Sequence, residues 1–277
     1  MSIGPDRPPG TPEMRLLKNL FFVLVITVPW GADAADQFDQ LIDGGVAKVT
    51  EVVDGDTVIL DNGRQVRLVG IQAPKLALGR KNFKPWPLAS EAKEYLSKLI
   101  LGHQIQLFLG DHPEDRYGRL LAHLVRKDNG LWVQGKLLKE GLARVYTFAD
   151  NPKMGAEMLQ HESQARIANK GMWGLLYYAV RNADTVANDV GTYQVVEDRI
   201  VEVAKVKKRI YLNFGPNWRT DFTVQIDARY GKRFVKKGID LLKLKGQKIR
   251  VRGWVKVKNG PMIELDHPER LEILSPK

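Results

Sequence analysis

The sequence predicts a mainly β protein with packed helices: a mixed β-barrel followed by a second small, strongly basic β-barrel or sandwich. Three observations carry that expectation. Short apolar runs broken by turn residues recur along the chain. In the first two-thirds they are interleaved with stretches of helical spacing. The surplus of positive charge falls almost wholly in the last third: residues 190–277 hold 20 Lys and Arg against 10 Asp and Glu, and residues 1–189 hold 23 against 22.

From Gly45 to Leu68 apolar residues recur on a strand pattern, and Asp61-Asn62-Gly63 is a hairpin turn between two apolar runs. A third strand ends near Ile71, before Pro74. Leu88–Leu101 has helical spacing, with Leu88, Ala92, Tyr95, Leu96, Leu99 and Ile100 on one face and Gly102 as its stop. Strands follow at Ile105–Leu109 and Leu120–Val125, then helices at Lys136–Gly141 and Met154–Asn169. This first unit covers residues 45–175. Residues 176–191 read as a linker, and 192–277 as a basic domain, loosely OB-like, with strands at Gln194–Val206, Arg209–Phe214, Phe222–Ile226, Lys248–Lys256, Pro261–Leu265 and Leu271–Leu274. A short helix is expected between Tyr230 and Leu242.

The 277 residues are 44% hydrophobic, which excludes wholesale disorder, and the net charge of +11 points to a polyanionic partner. The absence of cysteine excludes disulfide frameworks, thiolate zinc sites, cysteine nucleophiles and lipoprotein attachment. The histidines are scattered singly, without metal-ligand spacing. Met14, Arg15 and Lys18, the apolar run Leu20–Val28, Pro29 and Ala32-Asp33-Ala34 together read as a secretory signal within residues 1–34, with Met14 a candidate start. The apolar run is about half the ~20 residues of a membrane span. The expectation is an exported protein, periplasmic or secreted, with no stable membrane anchor after cleavage.

Asp54-Gly55-Asp56-Thr57 places two carboxylates two residues apart at a strand-edge turn, hard oxygen donors suited to Ca²⁺ or Mg²⁺. The same residues also suit a plain turn. Arg67 stands on the next strand, and Asp115-Arg116-Tyr117-Gly118-Arg119 puts Arg119 at the start of another. Two guanidiniums beside a metal site suit a phosphodiester, because arginine binds phosphate oxygens bidentately.

On these pieces the chain resembles the staphylococcal-nuclease-like (thermonuclease) family. The matching segments are Val53–Val58, Arg67–Ile71 with Pro74, Asp115–Arg119, Leu137–Val145 and Gly171–Gly174, in order across residues 46–174. The resemblance implies an OB-type five-stranded barrel with three helices and calcium-dependent cleavage of DNA and RNA. It puts Asp56 at the main metal-carboxylate position with Asp54 nearby, Ala73 at a metal-binding carbonyl, and Arg67 and Arg119 at the phosphate-binding positions. Gln72-Ala73-Pro74-Lys75 departs from it: active members carry Asp, Thr, Pro and Glu there. A metal carboxylate is thus a neutral amide at Gln72, and the water-activating glutamate is a cation at Lys75. Loss of that base costs about 10²–10⁴-fold in rate; Lys75 could instead hold a phosphate, and Glu91 is a candidate substitute base.

Lys75–Trp86 interleaves Lys75, Lys84 and other cations with Trp86, a pattern that lines a single-strand path or forms an exposed loop with the ring tucked in. In the last third, Lys207, Arg209, Arg250 and Arg252 lie among Trp218, Tyr230 and Trp254. Alternation against Ile249, Val251 and Val255 puts Arg250, Arg252 and Lys256 on one strand face, either a nucleic-acid surface or a solvated edge. The expected function is metal-dependent phosphodiester hydrolysis on DNA or RNA with an altered site. The alternatives are a non-catalytic nucleic-acid binder and a binder of anionic cell-surface polymer.

Overall fold

The structure is a computed structural model that describes residue 1 and residues 37–274. The signal expected within 1–34 lies outside the described residues. No helix among the described residues is long and apolar enough to cross a membrane.

Five strands close a barrel: β1 (Ile42–Asp54), β2 (Thr57–Leu60), β3 (Gln65–Leu68), β5 (Gln104–Glu114) and β6 (Leu120–Arg126), with β4 (Ile71–Gln72) outside the ring. Closure runs through the parallel pairing of β3 with β6, which sets Arg67 beside Leu121. Helix α1 (Ala89–Ile100) buries Ala92, Leu96 and Ile100, the face its spacing marks, while Tyr95 and Leu99 pack at its margin. Helices α2 (Val133–Lys139) and α3 (Gly155–Ile167) flank the short strand β7 (Arg144–Val145), which pairs with β4. On α2, Gln134 is fully buried against β6; its side chain accepts from Leu124 N–H at 3.1 Å and donates to Ala122 O at 2.8 Å. A buried amide is tolerated there because both of its functions are met.

The C-terminal ends of α2 and α3 meet backbone to backbone. Gly141 (φ 65°) and Gly171 (φ 56°) both lie in the left-handed region, and Met172 N–H donates to Gly141 O at 2.8 Å. A Cβ on Gly141 would stand 2.1 Å from Lys170 O, and one on Gly171 would stand 2.4 Å from Gly141 O. Only glycine fits at either position.

Residues 176–191, expected as a linker, form 3₁₀ turns tied by an Arg181–Asp189 ion pair at 2.7 Å, and Arg181 bridges to Val196. The C-terminal strands are β8 (Tyr193–Arg199), β9 (Glu202–Val206), β10 (Arg209–Asn213), β11 (Thr223–Asp227), β12 (Lys248–Trp254), β13 (Lys256–Lys258), β14 (Gly260–Leu265) and β15 (Leu271–Leu274), with helix α4 (Gly231–Lys236) between β11 and β12. They hydrogen-bond as a five-stranded sheet, β13-β14-β11-β10-β9, and a three-stranded sheet, β15-β12-β8, enclosing one apolar core. The run expected over Gln194–Val206 is two strands, because the chain turns at Ile200 and Val201.

The two halves are joined by a buried charge network. Arg252 on β12 and Glu162 on α3, both 0% exposed at the side chain, pair at 2.9 Å; Glu162 also takes Arg166 at 2.6 Å and the Val145 N–H at 2.6 Å. Arg252 reaches Glu272 as well, at 2.6 Å. Burial works against the Arg252 charge, but Glu162 and Glu272 outweigh it and hold the guanidinium above its ordinary value. Arg250 is held by Glu197 and Glu272. Both arginines therefore correct the expectation of a nucleic-acid-binding face. The alternation on β12 does mark two faces, but on the polar one Arg252 is buried against α3 and Arg250 is held by carboxylates of the flanking strands β8 and β15.

Candidate active site

The site forms where β1 turns into β2. Asp56 N–H donates to Asp54 Oδ1 at 3.0 Å, an Asx turn that sends the Asp56 carboxylate inward. Gly55 is required by close approach: a Cβ there would lie 2.6 Å from Ala73 Cβ and 2.8 Å from Ala92 Cβ. Asp56 is completely buried and Asp54 nearly so.

The Asp56 carboxylate is already satisfied. Lys75 Nζ donates to its Oδ1 at 3.0 Å and its Oδ2 at 2.8 Å, Ala73 N–H donates to Oδ2 at 2.8 Å, and Arg67 Nη2 stands 3.3 Å from Oδ2. Burial alone would raise this carboxyl, but Arg67 and Lys75 override it and hold Asp56 at about 2. Burial, then the Asp56 charge, pushes Asp54 upward. Arg67 is anchored by its own backbone surroundings, donating to Ile71 O at 2.6 Å.

Gln72 turns away from Asp56. Its Oε1 accepts from Arg144 Nε at 3.0 Å and Nη2 at 2.7 Å, a contact set by the register of β4 on β7. Arg144 in turn donates to Tyr193 O at 3.0 Å, so Gln72 is tied to the second half of the chain. Calcium takes about 6–8 oxygen ligands. Here one carboxylate is capped by an ammonium, the neighbouring amide oxygen is taken, and Ala73 meets Asp56 through an N–H. No cluster of three or more metal-ligating side chains occurs among the described residues. The donor set does not fit a resident divalent cation.

Arg119 immediately precedes β6 and is held by Asp115, with Nε at 2.8 Å and Nη2 at 2.6 Å from Oδ2. It opens, with Arg67, Lys75, Arg116, Tyr117 and Tyr146, onto a cavity of about 470 Å³. Tyr117 is 71% exposed, and Arg116 and Arg119 lie 5.2 and 5.5 Å from its ring centre. Tyr146 and Phe148 form the opposite wall, edge to face at 5.0 Å. Sequence reasoning missed both; their alternation with buried Val145 and Thr147 was the available signal.

The other expected residues lie elsewhere. Lys84 and Trp86 do not line this cavity. Trp86 packs against the Trp173 and Tyr178 cluster, the tucked-in arrangement. Glu91 is exposed on the first turn of α1 and bonds none of the site residues. Lys207 and Arg209 are exposed on the β9–β10 hairpin.

A closed five-stranded barrel with a buried carboxylate and two guanidiniums at one edge has the architecture of an OB-type barrel. A family model described as staphylococcal nuclease homologue matches residues 65–174. The thermonuclease of Staphylococcus hyicus is 31% identical over 134 residues, 46% of this chain and 74% of that protein. The thermonuclease of Staphylococcus intermedius is 32% identical over 128 residues, 45% of this chain and 74% of that protein. Endonuclease YncB of Bacillus subtilis is 33% identical over 126 residues, 44% of this chain and 58% of that protein. The chain belongs to the staphylococcal nuclease family.

The Asp56 ion pair carries a pH dependence. A carboxyl held at about 2, against an ordinary 3.8, stabilises the fold fully above 3.8 and loses that contribution as pH falls through about 2. The shift corresponds to about 2 kcal/mol. Acid unfolding of the wild type and of Asp56→Asn should therefore converge towards pH 2; a stability gap of constant size from pH 6 to about 2 contradicts this.

Proposed function

We propose that this protein binds nucleic-acid phosphates in the Arg67–Arg119 cleft without the metal-dependent hydrolysis of its family. The observation that carries the reading is the Lys75 ammonium on both oxygens of Asp56. An internal cation stands where a metal would be needed, and Lys75, a donor, cannot act as the water-activating base. Arg116 is exposed and in no ion pair among the described residues, and Tyr117 offers a ring for a base. Both DNA and RNA present this backbone. Export is supported by the composition of residues 14–34.

The second reading is metal-dependent cleavage with a weakened site. The Asp54–Thr57 turn favours it, since it keeps two carboxylates at the barrel edge. Fluorescence anisotropy with labelled single strands, run beside plasmid nicking in Ca²⁺, Mg²⁺ or EDTA, separates the two. The first reading expects salt-dependent binding in EDTA and no nicking with either metal. Arg116→Ala with Arg119→Ala is expected to weaken binding about tenfold or more. Nicking that EDTA abolishes would establish the second reading. Failure to bind any nucleic acid at moderate salt would overturn both and leave anionic cell-surface polymer as the partner.

A further inference from the structure

We infer that one single strand of nucleic acid runs continuously from the barrel cleft onto the outer face of the C-terminal five-stranded sheet. The inference rests on the cleft reading above and adds a second, fixed segment of the path. Trp254 Nε1 donates to the Tyr146 hydroxyl at 3.1 Å. Tyr146 lines the barrel cleft, and Trp254, 46% exposed, lines a separate cavity of about 350 Å³ with Arg209, Tyr230 and Lys256. The hydrogen bond therefore joins the rims of the two cavities.

The second cavity opens on one face of the sheet. Ile210, Leu212, Val224 and Ile226 point into the core, so the alternate residues, Arg209, Tyr211 and Gln225 among them, face outward. Farther along that face a cavity of about 370 Å³ is lined by Tyr211, Lys258 and Trp218, which is 50% exposed. Rings thus recur from Tyr146 through Trp254 to Trp218, as base stacking requires.

Charge selects the edge the strand follows. Lys256 is neutralised by Glu264 at 2.6 Å, and Arg229 has Asp227 at 3.8 Å. Lys207, Lys208 and Arg209 on the β9–β10 hairpin are exposed and in no ion pair among the described residues, whereas Lys205, opposite core-facing Ile210, lies on the other face. The phosphates are assigned to that hairpin. The two segments are also held rigidly: besides Arg252–Glu162, Thr147 Oγ1 and His267 Nε2 lie 2.8 Å apart across the junction. A strand that fills the first segment meets the second at high effective concentration.

The test uses the full chain and oligothymidylates of about 6, 12 and 24 nucleotides in EDTA, with affinity read by anisotropy across salt. The longest strand is expected to bind roughly 100-fold tighter than the shortest. Lys207→Glu with Arg209→Glu should weaken the longest strand about tenfold or more and reduce its salt slope by about 1.4. Trp254→Ala should also weaken it about tenfold, and Trp254→Phe should restore most of that loss. Melting curves confirm that each variant is folded. Equal affinity at all lengths after correction for lattice positions, or a charge reversal without effect on the longest strand, overturns the path. If the shortest strand binds and length adds nothing, the path fails while the cleft reading stands. If no strand binds, both fail.

Discussion

Glu162→Gln is expected to lower the unfolding free energy by about 3–5 kcal/mol. Glutamine can still accept the Val145 N–H, which comes to 2.6 Å of Oε2. It cannot neutralise Arg252 or Arg166, whose guanidiniums lie 2.9 and 2.6 Å from the carboxylate. Arg252, with no exposed side-chain surface, would be left to Glu272 alone. Differential scanning calorimetry should show a fall in Tm of roughly 10 °C. The loss should persist at high salt, because a buried pair is poorly screened. Replacing both partners by apolar residues, Glu162→Leu with Arg252→Met, is expected to recover much of it. A single-variant loss under about 1 kcal/mol would show that water already reaches the pair.

The second large effect concerns catalysis. Lys75→Glu combined with Gln72→Asp should bring calcium-dependent plasmid cleavage at least about 100-fold above the wild-type level. Lys75→Glu alone removes the ammonium that now holds the Asp56 oxygens at 2.8 and 3.0 Å, and leaves Oδ2 with the Ala73 N–H and Arg67. It leaves position 72 committed to Arg144, and aspartate there is one methylene shorter than Gln72, so it must give up some of that contact to turn towards Asp56. A readout independent of turnover exists. Clustered carboxylates repel, so the double variant should melt below the wild type in EDTA and regain stability as Ca²⁺ is added. No calcium-dependent shift in Tm, together with an unchanged cleavage rate, would show that positions 72 and 75 are not what limits the site.

Much of the barrel was legible from local pattern. The alternation in β1 to β3 and the Asp61–Gly63 turn needed no knowledge of distant partners. The extension of β5 to Glu114 was not, because Asp111–Glu114 are exposed, include Pro113, and meet β6 only at Glu114, opposite Leu120, past a register shift. The start of α2 was hidden by Gly135, where a Cβ would stand 2.7 Å from Trp132 Cε3; packing, not propensity, places that glycine in a helix. In the site, the charge change at Gln72 and Lys75 was readable, but its consequence was not: which atoms Lys75 would hold depends on a fold that brings residues 19 apart together. Arg250 and Arg252 show the opposite limit. Arg250 and Arg252 do share a face of β12, while Lys256, expected beside them, lies on β13 in the other sheet, and the carboxylate that claims Arg252 lies 90 residues away.

The meeting of Gly141 with Gly171 has a bearing on how this chain can vary through descent. The segments around them are separate words in the sequence, Glu140-Gly141-Leu142-Ala143 and Gly171-Met172-Trp173-Gly174, but in space they are a single crossing of two backbones. A side chain introduced at either glycine strikes the main chain of the other segment, so neither word can be respelled while its counterpart stays in place. A residue other than glycine at either position is accommodated only if the packing at the ends of both helices is rebuilt.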